Sequence, residues 1–136
     1  MELETTYQSH LEGVSEFVEK VQQPRIRKLA KNVRQHKKLF SMFHDKLKVD
    51  ASTQRLLTGD EGFSDKVELI LKSYGAPSKA YILGSGVDAT SSERSLKDAL
   101  NEVVGMGDGT IVSCIAGKLA FWESGSMNYR FILKAD

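Results

Sequence analysis

The chain has one cysteine, two prolines, one tryptophan and three histidines in 136 residues, and each shortage removes a class of mechanism. The single thiol, Cys114, excludes an intrachain disulfide and every multi-cysteine zinc or iron–sulfur arrangement within one chain. His10, His36 and His44 all fall in the first 44 residues. They form no His-Glu-x-x-His pattern, and no local carboxylate–histidine spacing suits zinc. No metal ligand and no cofactor is assigned, and the expected role of the histidines is structural or interfacial. No apolar run is long enough to span a bilayer. The start, Met1-Glu-Leu-Glu-Thr-Thr6, lacks the basic-then-apolar pattern of a secretory leader. The expectation is a cytoplasmic protein without a membrane partner.

Nucleophilic chemistry has little to build on. Cys114 lies in Ile111-Val-Ser-Cys-Ile115, and such apolar neighbours predict a buried, inert thiol. Gly84-Ser-Gly86 precedes an expected helix, as a phosphate-binding turn does. It lacks the third glycine and any Walker lysine, so it is read as a strand-to-helix loop. Gly105-Met-Gly-Asp-Gly109 reads as a helix stop followed by a turn. No catalytic residue is assigned. Trp122 reads as a sheet aromatic, or as an outward contact residue beside Lys118 and Arg130.

What the chain does have is an uneven distribution of charge. Its formal net charge is only +1. Residues 24–48 nevertheless hold nine basic side chains against one acid, Asp45. Residues 1–23 carry the opposite sign, five glutamates against Lys20. On a helical wheel Arg27, Lys31, Arg34 and Lys38 fall opposite the apolar residues of their segment and form one solvent-facing row. Glu12, Glu16 and Glu19 repeat that spacing on the preceding segment. Packed through their apolar seams, the two rows are not expected to pair with each other. A dense basic row attracts acidic partners or phosphates.

The hydrophobic period changes from helical to strand-like near Pro77. A first helix is expected over about 6–23, with Gly13 as a weak point, and a second over about 25–48. In the second, Ile26, Val33, Phe40 and Leu47 recur every seven residues, as in a coiled-coil-like hairpin or an amphipathic helix on a core. Residues 50–63 read as a polar connector in which Ser52 and Thr53 cap a short helix through Leu57. A third helix is expected from Asp65 to about Tyr74, stopped by Gly75. Beyond it the pattern is β-α-β-β-β. A short strand covers Tyr81–Leu83, and a helix follows a Thr90/Glu93 capping box. A central strand spans Thr110–Ala116, a hairpin turns at Gly117-Lys118, and a strand spans Leu119–Glu123. A half-exposed strand follows, alternating Met127, Tyr129, Phe131 and Leu133 with polar residues.

The expected fold class is α+β. N-terminal helices over 1–75 precede a β-α-β-β-β module over 76–136 with an antiparallel meander, the two regions making one compact domain. The expected function is that of a small binding or regulatory protein. It engages an acidic protein partner, or a second copy of itself, through Arg27, Lys31, Arg34 and Lys38. Nucleic acid is the alternative partner for the basic helix. The third reading is an enzyme with a site between helices and sheet.

Overall fold

The computed structural model describes residues 2–106, 108–125 and 129–135, with side chains from Thr6 onward. Among the described residues five α-helices surround a six-stranded sheet. The helices are α1 (Glu2–Gly13), α2 (Gln23–Lys31), α3 (His36–Asp45), α4 (Ser64–Ser73) and α5 (Leu96–Val103). The strands are β1 (Gln54–Leu56), β2 (Lys79–Leu83), β3 (Glu93–Ser95), β4 (Thr110–Ile115), β5 (Leu119–Glu123) and β6 (Arg130–Lys134). The strand order is β1-β6-β5-β4-β2-β3, and every neighbouring pair is antiparallel. The fold is α+β, with the meander β4-β5-β6 at its centre.

Strand residues alternate between two faces, and here both faces are covered. Leu83, Ile111, Ala120, Trp122 and Leu133 pack against α1, α2 and α3. Their neighbours in sequence, Ile82, Val112, Phe121 and Ile132, pack against α4 and α5. The covered central strand expected over 110–116 is therefore present as β4.

The expected last strand forms as β6, but it is covered on both faces rather than half-exposed. Ile132 and Leu133, 1% and 0% exposed, enter the two opposite cores, and β1 pairs along its outer edge in the register Arg55↔Ile132. Met127 and Asn128 of that expected strand lie outside the described residues. β1 replaces the short helix expected before Leu57: Asp50 caps one 3-10 turn at Ala51–Thr53, and the chain then extends.

The two long N-terminal helices are broken, each for a local reason. α1 tightens to a 3-10 turn at Val14–Phe17 after Gly13. A Cβ on Gly13 would lie 2.4 Å from the backbone nitrogen of Gly117, so this glycine permits the close approach of α1 to the β4–β5 turn. The expected helix over 25–48 ends at Asn32, which is extended and whose side-chain oxygen accepts the Arg34 amide at 3.0 Å. A 3-10 turn at Val33–Gln35 leads into α3. The seven-residue seam fails with it. Ile26, Phe40 and Leu47 are buried, but Val33 is 78% exposed.

The Thr90/Glu93 capping box does not form. Asp88 instead gathers the amides of Thr90 and Ser91 in a tight loop. Glu93–Ser95 becomes an edge strand on β2, and Ser95 caps α5 by accepting the Asp98 amide at 3.1 Å. Gly84-Ser-Gly86 thus joins two strands rather than a strand and a helix, which removes the context of a phosphate-binding turn.

Gly109 offers a test of how the layers are held. It has φ +70°, and a Cβ there would fall 2.4 Å from the Cα of His44 on α3. Gly109→Ala adds a backbone clash to the positive-φ strain of about 1–3 kcal/mol. Gly75 has φ +98° but open space around it, so Gly75→Ala incurs the strain alone. Urea unfolding of both variants should show Gly109→Ala as clearly the more destabilised; equal losses would mean that α3 is not seated against this turn.

Candidate functional site

Arg27, Lys31, Arg34 and Lys38 are all exposed, but they do not share one helix. Arg27 and Lys31 belong to α2, Arg34 to the 3-10 turn, and Lys38 to α3. The surface they occupy is bent at Asn32. One expectation needs correction: the acidic and basic rows do meet once. Arg27 Nη2 lies 3.2 Å from Glu16 Oε2, with both side chains about half exposed. The tightening of the chain after Gly13 alters the direction in which Glu16 projects. Lys28, Lys31, Arg34, Lys37 and Lys38 form no ion pair with a described residue. Exposed pairs such as Arg27–Glu16 contribute at most about 1 kcal/mol, so this surface remains a field of largely uncompensated cations.

The histidines take structural positions. His36 Nε2 is 2.7 Å from the Ala30 carbonyl. A carbonyl can only accept, so Nε2 carries the hydrogen. Gln8 Nε2 donates to the same oxygen at 2.8 Å. Together they satisfy a carbonyl that the end of α2 leaves without a helical partner. His44 lends its carbonyl to Ser124 Oγ and to the Gly125 amide, at 3.0 and 2.8 Å. His10 is 7% exposed. Its Nδ1 shares a 2.5 Å hydrogen bond with Ser113 Oγ, and its ring lies 4.3 Å from that of Tyr81.

Trp122 is not an outward contact residue. It is 6% exposed, stacks on Phe131 at 5.1 Å, and donates its indole N–H to the Phe43 carbonyl at 2.7 Å. An amphipathic indole facing a helix end can bury its ring and still satisfy its donor. Cys114 is buried on the opposite sheet face, and burial pushes its thiol up to about 12. Among the described residues no group of three or more histidine, cysteine or carboxylate side chains is placed to hold a metal ion. No described helix is long and apolar enough to cross a membrane.

The remaining feature is a groove of about 1000 Å³ between α1, the α2–α3 junction and the β2–β3 loop. Tyr7, Val33, Phe40 and Asp88 all line it. Sequence reading did not assemble it, because Tyr7 and Asp88 are far apart in the chain and carry no motif. The one legible trace was Val33, an apolar heptad residue that the broken helix leaves outside. No family model matches the chain, and neither a curated protein nor a solved structure matches it.

Two buried groups give measurable consequences. Burial lowers the His10 imidazole from 6.5 to about 4. The folded state therefore resists a proton that the unfolded chain accepts. The stability this contributes is complete above pH 6.5 and is lost as pH falls toward about 4, a change on the order of 3 kcal/mol. His10→Gln should flatten that part of the unfolding-versus-pH curve; an unchanged slope would place the titration elsewhere. Cys114 should react with a thiol reagent at the rate of unfolding, and rapid labelling of the native protein would contradict its burial.

Proposed function

We propose that this chain is a binding protein that docks an acidic protein partner on the bent basic surface of α2, the 3-10 turn and α3. The observation that carries this reading is the lack of neutralisation. Five further lysine and arginine side chains of the stretch 24–48 stand exposed beside Arg27, Lys31, Arg34 and Lys38, and Arg27 alone among the nine is ion-paired to a described residue. An uncompensated patch of one sign raises the encounter rate with a partner of the other sign.

Val33 points toward a protein rather than a nucleic acid. It offers an exposed aliphatic contact in the middle of the cationic surface. No exposed phenylalanine, tyrosine or tryptophan occurs between Pro24 and Lys48 to stack on bases. Charged partners that approach across water are screened within about 8–10 Å at ordinary ionic strength. The interaction therefore weakens with salt, while the apolar contact at Val33 does not.

The test uses immobilised poly-glutamate and a duplex DNA as probes, with sedimentation to detect self-association. Replacing Arg27, Lys31, Arg34 and Lys38 together by glutamine should abolish salt-sensitive poly-glutamate binding. Stability should change by no more than about 0.5 kcal/mol per exposed position. Undiminished binding by the variant would sink the reading. Tighter binding to duplex DNA than to poly-glutamate at equal salt would replace it with the nucleic-acid reading. A concentration-dependent dimer that the four substitutions dissolve would make the partner a second copy of the chain.

A further inference from the structure

The groove beside the basic surface has chemistry of its own. Its volume, about 1000 Å³, matches the upper range of small-molecule sites. Tyr7, Val33, Phe40, Val87 and Ala89 give it a mainly apolar wall, and Glu12 and Asp88 bring carboxylates to it from two different elements. None of the chain's 19 lysines and arginines lines it.

Both carboxylates keep an open oxygen. Glu12 Oε2 accepts from Gln8 Nε2 at 2.9 Å. Asp88 receives the Thr90 and Ser91 donors on Oδ1 alone. Neither forms an ion pair with a described residue, and Glu12 Oε1 and Asp88 Oδ2 accept no hydrogen bond from one. Tyr7 is 4% exposed, yet its hydroxyl makes no hydrogen bond to a described residue. That oxygen is open to the groove and takes its partner there, either water or a ligand.

We propose that this groove binds a small organic ammonium carrying an aromatic or branched aliphatic body. An ammonium has three donors and no acceptor. The groove offers three open oxygens, from Glu12, Asp88 and Tyr7, two of them on carboxylates. The faces of Tyr7 and Phe40 favour a cation further, and Val33, Val87 and Ala89 accept the apolar body. An anion of the same shape meets two carboxylates and no lysine or arginine in the lining. The proposal does not rest on the cations of the docking surface, since Arg27, Lys31, Arg34 and Lys38 lie outside the groove; Val33 borders both.

The experiment is a titration of the full chain with phenethylamine, with phenethyl alcohol and phenylpropionate as neutral and anionic matches, followed by amide-resolved NMR. Phenethylamine should produce saturable shifts concentrated at residues 7–12, 33–40 and 84–92, and the other two compounds should not. Asp88→Asn keeps an oxygen for the Thr90 and Ser91 donors, and Glu12→Gln keeps one for Gln8. The double variant should retain the native spectrum and bind the amine at least about tenfold more weakly. Should the double variant not fold, Asp88→Asn alone carries the test, and Tyr7→Phe gives an independent loss. The glutamine replacements on the basic surface should leave amine affinity undiminished. The proposal is overturned if the alcohol or the carboxylate binds as tightly as the amine. It also fails if the shifts lie elsewhere or are absent, or if the variants bind like the parent.

Discussion

The seating of the α3 C-terminus on the sheet is the constraint from which the rest of the structure follows. The last carbonyls of a helix have no partner within it, and here the sheet supplies donors. Trp122 Nε1 reaches the Phe43 carbonyl, and Ser124 Oγ and the Gly125 amide both reach that of His44. Gly109 lets the β4 approach pass against the His44 backbone. From the other side Gln22, only 8% exposed, donates to the Lys46 carbonyl and accepts the Lys48 amide. These bonds join α2, α3 and the β5–β6 end of the sheet, and they leave the opposite surfaces of α2 and α3 facing water with their lysines and arginines.

A sheet covered on both faces has to satisfy every polar group it encloses. On the α1 side the only buried hydroxyl of β4, Ser113, meets His10 from the helix above. At the end of β5, Glu123 is 1% exposed and accepts both the Gly105 amide and Arg130 Nε through Oε1, at 2.7 and 2.8 Å. Arg130 also donates to the Gly62 carbonyl. One carboxylate thereby connects the end of α5, the turn before α4 and two central strands. Breaking such a buried pair by removing one partner typically costs about 3–5 kcal/mol, because the other charge is stranded.

The break at Asn32 sets both candidate surfaces. Had the helix continued from Arg25 to Lys48, Val33 would have joined the seam and the four cations would have made one straight row. Instead Asn32 caps the following turn, His36 folds back onto Ala30, and Val33 emerges. The same turn bends the basic surface and forms one wall of the groove, whose opposite wall comes from α1 and the Asp88 loop. A cationic exterior and a groove lined by carboxylates thus lie on adjacent sides of one helical junction.

Local pattern determined the α+β class, the β4–β5–β6 meander, the burial of Cys114 and the exposure of the basic side chains. Each rests on alternation, on helical periodicity or on charge, which are properties of near neighbours. Gly75, Gly105 and Gly117 mark the chain reversals expected of them because positive φ is a local requirement. Tertiary structure decided the rest. β1 and β3 are three-residue strands too short to show a period, and each exists because a neighbouring strand had an open edge. The burial of Trp122 depends on a carbonyl 79 residues away. The groove joins Tyr7 to Asp88 across most of the sequence. No spacing rule brings such pairs together, because their proximity is set by how helices and sheet pack rather than by the path of the chain between them.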